Sequence, residues 1–264
     1  MTTIKKNIKK FINFFDPDLF YFSASLSFFS ILSILPILAL ILVGLSYLSG
    51  LAIFDGVTEQ FTRKILELLN PTSSAQLQAN ITSFLSNTHD LGLFGLIYFL
   101  FAFGLFFRDY DYIVNKIHDI KQKRIHKMIL SYLGFLIYVP VGFLLFGFVV
   151  GVLKIVSFDF WFVENLIQFL TGWLFFILLF KVSINQKLRK TAIFVSTFLT
   201  TFMLSVFKYL FVFYALHNKM YATIYGSFSV LMLFFVWLYI SWIILLFGVK
   251  FAKIVQNRQT LSFL

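Results

Sequence analysis

The chain has 264 residues, of which 60% are hydrophobic and only 12% are charged. A soluble domain needs more polar residues to cover its surface, so this composition predicts an integral membrane protein. The net charge of +11 could indicate a nucleic-acid partner, but its distribution along the chain, described below, indicates a membrane surface instead. The chain contains no cysteine, which excludes disulfides, thiolate metal ligands and cysteine nucleophiles.

The N-terminal residues 1–15 place apolar side chains at helical spacing with lysines between them. This pattern predicts an amphipathic helix that lies on an anionic membrane leaflet. Asp16-Pro17-Asp18 ends this helix, and we expect Asp16 to cap the next helix with Pro17 in its first turn. The apolar run that follows is too long for a cleavable signal peptide, so we expect it to stay as the first membrane helix.

Six apolar segments have about the length that a helix needs to cross a bilayer. They cover approximately residues 19–50, 91–107, 129–153, 165–180, 191–216 and 222–249. Residues 51–90 carry two short amphipathic patterns, which predict a helical hairpin on the periplasmic membrane surface. After residue 107 the helical periodicity of the second span continues through Ile117. We therefore predict one all-α membrane domain, residues 1–264, with six transmembrane helices.

The distribution of Lys and Arg predicts the orientation of these spans. The N-terminus, the loops after the second and fourth spans and the C-terminus hold 4, 6, 4 and 3 of them, which makes 17 of the 22. The positive-inside rule then places both termini in the cytoplasm of a bacterial inner membrane. The basic loops face anionic inner-leaflet lipid, so we expect membrane phospholipids and no nucleic acid as partners.

The first span is uneven, because its first half is rich in serine and its second half is almost purely aliphatic. Ser23, Ser27 and Ser30 lie on one helical face. They either line a cavity that fits a lipid headgroup or pack against another helix while bonding their own backbone. Pro36 frees the carbonyl of Leu32 and should kink the helix, either as a hinge or simply as shape.

Charged residues near the span ends give a second set of candidates. Arg108, Asp109 and Asp111 either form a gate or a clamp for lipid phosphate, or mark the point where the second helix leaves the membrane. Lys208 lies inside the fifth span, roughly 26 Å from its cytoplasmic start at 1.5 Å per residue. It either snorkels to the outer interface, pairs with an acidic residue such as Glu164, or binds a lipid phosphate.

The sequence carries no pattern typical of an enzyme. The four histidines match no metal-ligand spacing, and there is no nucleophile elbow and no phosphate-binding glycine loop. We therefore expect no catalytic residues, no metal and no cofactor.

Three stretches, residues 24–36, 107–117 and 221–252, carry patterns that occur together, and Tyr225-Gly226-Ser227 in the third is the most specific. In order and spacing they resemble the YihY/BrkB family of bacterial inner-membrane proteins over nearly the whole chain. The resemblance implies a six-span helical protein. It also marks Asn115, which caps or bridges helices, and Gly226, which allows close backbone approach. Residues 180–195 depart from the family pattern, so no detail is transferred there.

Members of that family have been linked to envelope lipid export and to serum resistance, and some carry a ribonuclease label. We therefore expect transport or export of an envelope lipid, either a phospholipid or a lipid A-type molecule. Ion or small-solute transport is the alternative, although no Asp or Glu falls within the six spans. A non-transporting envelope scaffold also stays open. A ribonuclease is disfavoured, because metal-dependent RNA cleavage needs a cluster of carboxylates or histidines.

Overall fold

The computed structural model describes residues 17–48, 88–134, 161–217 and 229–261. These residues form helices and the turns between them, with no strand among them, so the all-α prediction is confirmed for this part of the chain. The helices are α1 (Pro17–Leu48), α2 (Thr88–Ile117), α3 (from residue 125, described to residue 134), α4 (Trp161–Ser183), α5 (Lys190–His217) and α6 (Ser229–Leu261).

Several predicted features lie outside the described residues: the amphipathic helix over residues 1–15, the hairpin up to residue 87, the third span beyond residue 134, and Tyr225 and Gly226. They stay predictions. Residues 88–90, which the sequence assigns to the periplasmic loop, instead begin α2. The difference arises because a helix need not end where the hydrophobic run that crosses the bilayer ends.

Within the residues that the structure describes, three helical stretches are long and apolar enough to cross a membrane: Asn165–Ser183, Lys190–Ala215 and Met232–Asn257. They overlap the predicted fourth, fifth and sixth spans. The helix α1 begins at Pro17, as predicted, and α2 continues to Ile117, which confirms the periodicity beyond its apolar run. The six-span topology with both termini in the cytoplasm stays a prediction.

The chain divides into two compact units, residues 1–28 with 107–264 and residues 29–106. In the first unit α5 packs against both α4 and α6. A methyl group on Gly248 of α6 would overlap the Thr200 hydroxyl of α5 and lie 3.3 Å from Cζ of Phe180 in α4. The three helices therefore approach closely at a glycine, as membrane helices commonly do.

The described part of the second unit is the end of α1 and the beginning of α2. Here α1 continues as a helix past Pro36, so the predicted kink stays a prediction. The Ser33 hydroxyl donates to the Phe29 carbonyl at 2.8 Å. On α2 Ala102 is buried, whereas Ile97 and Phe101 are exposed. Exposed large apolar side chains on a helix of this kind are suited to contact with lipid.

Candidate functional site

The last three turns of α2 sort their polar side chains onto two faces. Arg108, Tyr112 and Lys116 follow one another at four-residue spacing and are exposed. Asp111 and Asn115, also four residues apart, are buried. Because side chains at i and i+4 share a helix face, this segment points one polar pair into the protein and another group of polar side chains outward.

Asp111 is a carboxylate enclosed by protein, with only 1% of its surface exposed. The Tyr132 hydroxyl of α3 donates to its Oδ1 at 3.1 Å. Burial raises the pKa of the Asp111 carboxyl above its usual value, because water no longer solvates the charged form. Four smaller effects oppose this rise in pKa without cancelling it: the hydrogen bond from Tyr132, the charge of Lys123, a hydrogen bond from the Lys123 backbone and one from Asn115.

Asn115 joins α2 to the C-terminal end of α4. Its Nδ2 donates to the carbonyl of Asp111 at 2.7 Å and to that of Ser183 at 3.3 Å. Its Oδ1 accepts from the backbone N–H of Asn185 at 3.0 Å. One buried amide therefore satisfies polar groups on two segments, which makes it costly to remove.

A cluster of aromatic rings is connected to the buried carboxylate through Tyr132. The ring centroids of Phe107 and Tyr132 are 4.4 Å apart, and the Tyr110 ring lies 6.2 Å from Tyr132 and 5.8 Å from Trp242 of α6. Such edge and tilted contacts stabilise aromatic clusters beyond the area they bury. The Tyr110 hydroxyl donates to the Ser183 hydroxyl over a long 3.5 Å. The carboxylate thus bonds the hydroxyl of one ring in this cluster, Tyr132.

Lys123, in the turn between α2 and α3, supplies a positive charge that acts on Asp111. Its ammonium donates to the carbonyl of Val182 in α4 and lies 5.8 Å from the Tyr132 ring centroid. Burial lowers the pKa of Lys123, and the Asp111 charge raises it in part. Asp111 and Lys123 therefore form a charge pair in which burial disfavours the charged form of each group.

The turn that ends α2 is tied to α6. His118 lies buried with its Nε2 3.1 Å from the carbonyl of Val249, so the neutral ring donates there. Burial lowers the pKa of His118 to about 4. Lys253 donates to Asp119 and, at 2.8 Å, to the carbonyl of Ile117. Asp119 has a positive φ of 55°, the left-handed position that closes many helix ends.

The serines of α1 divide between two kinds of contact. Ser23 and Ser27 are buried, and their hydroxyls donate to backbone carbonyls of their own helix at 2.7 and 2.6 Å. Ser25, which the sequence did not single out, donates to Oδ2 of Asp109 at 2.7 Å and so connects α1 to α2. Ser30 is partly buried. Whether the predicted serine face contacts lipid stays a prediction.

Arg108, Asp109 and Lys208 lie apart from the contacts of Asp111 and Asn115 described above. Arg108 and Asp109 are neighbours in sequence, but Arg108 is exposed, whereas Asp109 bonds Ser25. Lys208 is exposed on α5, next to Tyr209, whose hydroxyl bonds Oδ1 of Asn165 at 2.8 Å near the start of α4. Among the described residues, no three His, Cys, Asp or Glu side chains are placed to hold a metal ion.

The chain is similar to known membrane proteins over most of its length. A family model described as Virulence factor BrkB matches residues 11–263. A UPF0761 membrane protein of Pseudoalteromonas atlantica is 25% identical over 261 residues, which cover 94% of this chain and 85% of the relative. One from Haemophilus influenzae is 24% identical, covering 88% and 87%, and one from Chlorobium phaeobacteroides is 25% identical, covering 91% of this chain but 55% of the relative. No solved structure matches the chain significantly.

Proposed function

We propose that this chain, which belongs to the family described as Virulence factor BrkB, transports an envelope lipid in the bacterial inner membrane. The YihY/BrkB resemblance predicted from the sequence is confirmed, and the relatives are named as membrane proteins. The lipid we propose is a phospholipid or a lipid A-type molecule. The inner membrane, the orientation of the termini and a role other than catalysis are part of this proposal.

The observation that carries the proposal is a two-part exposed surface on the first unit. Its basic part consists of exposed residues in the turns α2–α3 and α4–α5 and beside them: Lys116, Lys121, Arg124, Lys127, Lys181, Lys187, Arg189 and Lys190. The two turns are held together, because Nδ2 of Asn185 donates to the carbonyl of Lys121 at 3.0 Å. Each such cation contributes about 1 kcal/mol of attraction near an anionic lipid surface.

The apolar part of this surface runs along α4 and α5. Leu166, Leu170, Leu174 and Leu178 are exposed at four-residue spacing on α4. Exposed apolar side chains continue on α5, among them Phe194, Phe198, Phe202, Val206, Leu210 and Phe213. The stretch Asn165–Ser183 is 19 residues long, or about 28 Å of helix, close to the thickness of a bilayer core. Basic groups at one end and apolar helices beyond them suit the phosphate and acyl chains of a lipid.

The buried carboxylate supports a second candidate, an ion or small-solute transporter. The sequence argued against that function because no acidic residue falls within the predicted spans. Asp111 lies four residues beyond the second span, yet the helices enclose it. Buried ionisable groups in membrane proteins commonly mark ion pathways. Uptake of a labelled solute or ion into liposomes that contain the protein, without movement of lipid, would favour this candidate.

A deletion strain tests the lipid proposal. The gene is removed together with genes for redundant lipid exporters, and phospholipid and lipid A are quantified in separated inner and outer membranes. We expect lipid to accumulate in the inner membrane and the wild-type gene to restore its distribution. An unchanged distribution in such a strain would contradict the proposal and leave the scaffold as the better account.

A charge-neutralised variant tests the surface itself. Changing Lys121, Arg124 and Lys127 to Gln removes three exposed cations from one end of the unit, and Gln122→Asn, which changes an exposed neutral residue of the same turn, is the control. Association of spin-labelled phosphatidylglycerol relative to phosphatidylcholine reports the preference for anionic lipid. We expect the triple variant to lose about tenfold or more of that preference, since about 1.4 kcal/mol corresponds to a factor of ten. Equal preference in wild type and triple variant would remove the support for the proposal.

A further inference from the structure

We infer that Asp111 is a proton-binding site, and that binding the proton releases the tie that Lys123 makes between the α2–α3 turn and the end of α4. The site is built from groups on three segments. Asp111 is almost fully enclosed, Tyr132 donates to its Oδ1 at 3.1 Å, and the ammonium of Lys123 is bound to the carbonyl of Val182.

The surroundings of Asp111 favour reversible protonation. Lys123 is the only cation that acts on the Asp111 pKa among the described residues. Burial raises the pKa of Asp111, so the neutral acid is reached at a higher pH than for an exposed aspartate. Besides Lys123, the described side chains that interact with Asp111 are Tyr132 of α3 and Tyr110 and Asn115 of α2, and all three are neutral at physiological pH. Few groups therefore compete with Asp111 for the proton.

Protonation changes the balance of charge around Lys123. With Asp111 ionised, the half-buried ammonium lies near a negative charge as well as the Val182 carbonyl. With Asp111 neutral, no other negative charge among the described residues acts on that ammonium, and a buried cation without a counter-charge is unfavourable. We expect Lys123 to move toward water, so that its hydrogen bond to the Val182 carbonyl of α4 is lost. The proton is taken from and returned to solvent, so no other reactant is needed.

This inference gives the proposed transport function a coupling ion, and in that respect it rests on the proposed function. Proton binding itself does not depend on it. A carboxylate that exchanges a proton and moves a turn between helices is the kind of two-state element through which a membrane potential or pH gradient can drive transport.

Infrared spectroscopy tests proton binding on the full chain in lipid nanodiscs. The difference spectrum between acidic and neutral pH should contain a protonated-carboxyl band that is absent from Asp111→Asn and retained in Asp109→Asn. The second variant is the matched control, since Asp109 lies two residues away on α2 and bonds Ser25 instead. The midpoint of the band should lie above the usual aspartate value of about 3.9.

Tyr132→Phe supplies a second variant that keeps the ring contact with Phe107. It removes a hydrogen bond to the ionised carboxylate, so the midpoint should rise by about one pH unit or more. This shift of the midpoint in Tyr132→Phe can be measured even if Asp111→Asn does not fold. A midpoint that stays unchanged in Tyr132→Phe, or a band that persists in Asp111→Asn, would overturn the assignment of Asp111.

Spin labels test the release of the turn. Because the chain has no cysteine, Gln122→Cys and Gln186→Cys place unique nitroxides on exposed positions of the two turns. We expect their separation to lengthen on acidification with the midpoint of the infrared band, and to be long at neutral pH in Asp111→Asn. A titrating band with a constant separation would overturn the release. A titrating band and a changing separation without lipid movement would uphold this inference and contradict the proposed function.

Discussion

Replacing Gly248 with Ala should destabilise the packing of α4, α5 and α6. The new methyl group would overlap Oγ1 of Thr200, lie 3.1 Å from its Cβ and lie 3.3 Å from Cζ of Phe180. Rotation of the Thr200 side chain does not relieve the overlap, because Cβ is itself too close and the hydroxyl is held by the Ser196 carbonyl at 2.8 Å. The helices α5 and α6 must therefore move apart.

The expected magnitude follows from two opposing effects. Overfilling a packed interior costs about 1–3 kcal/mol, and Ala gains about 1 kcal/mol over Gly in a helix. We expect a net loss of up to about 2 kcal/mol of unfolding free energy. Gly172→Ala is the matched control, since its methyl group would meet only Cγ2 of Thr201 at an ordinary 3.5 Å. That variant should be neutral or slightly stabilised.

Unfolding of the purified variants in detergent, followed by tryptophan fluorescence against heat or denaturant, measures these differences. The double variant Gly248→Ala with Thr200→Ala should recover part of the loss, because the overlapping hydroxyl is gone while Cβ of residue 200 and Cζ of Phe180 stay at 3.1 and 3.3 Å from the new methyl group. If Gly248→Ala is as stable as Gly172→Ala, α5 and α6 do not pack as tightly at Gly248 as described, and the reasoning is refuted.

Three further changes concern the end of α2. Acidification from pH 7 to pH 5 should cost about 2 kcal/mol through His118, because burial lowers its pKa to about 4 and the unfolded chain, with a value near 6.5, takes up the proton. The stability that neutral His118 contributes is thus complete above about pH 6.5 and lost toward pH 4. The variant His118→Gln should therefore show a flatter pH dependence of thermal unfolding than wild type. Asn115→Ala should cost about 1–3 kcal/mol by denaturant unfolding, since it leaves buried polar groups without their partner; wild-type stability would contradict the bridge. Asp119→Gly should have a larger unfolding free energy than Asp119→Asn, by up to about 1 kcal/mol. Both variants lose the ion pair with Lys253, but only Gly relieves the positive φ. A more stable Asn variant would contradict this explanation of the backbone conformation.

Local patterns predicted the helices well. The apolar runs of the fourth and fifth spans lie within α4 and α5, residues 229–249 of the sixth lie within α6, and Pro17 begins α1. These features depend on residues that are close in sequence, such as a proline in a first turn or a helical repeat of apolar side chains. For the same reason the extension of α2 to Ile117 could be predicted.

The candidate site could be predicted only in part, because its partners are distant in sequence. Asp109 and its partner Ser25 are separated by 84 residues, and Asn115 and Ser183 by 68. The charged run at residues 108–111 indicates the end of a membrane helix when it is taken as a block. The four-residue spacing of Asp111 and Asn115 was the available signal that part of it faces inward. Which helix covers that face depends on tertiary packing.

Movement of lipid by the purified protein tests the central claim most directly. Fluorescent phospholipid is placed in the inner leaflet of liposomes that contain the protein, and its arrival in the outer leaflet is followed by chemical quenching under an imposed pH gradient. We predict that wild-type protein and Asp109→Asn accelerate this movement in response to the gradient and that Asp111→Asn does not respond to it. Movement no faster than in protein-free liposomes, for every lipid tested and with the gradient in either direction, would contradict the account.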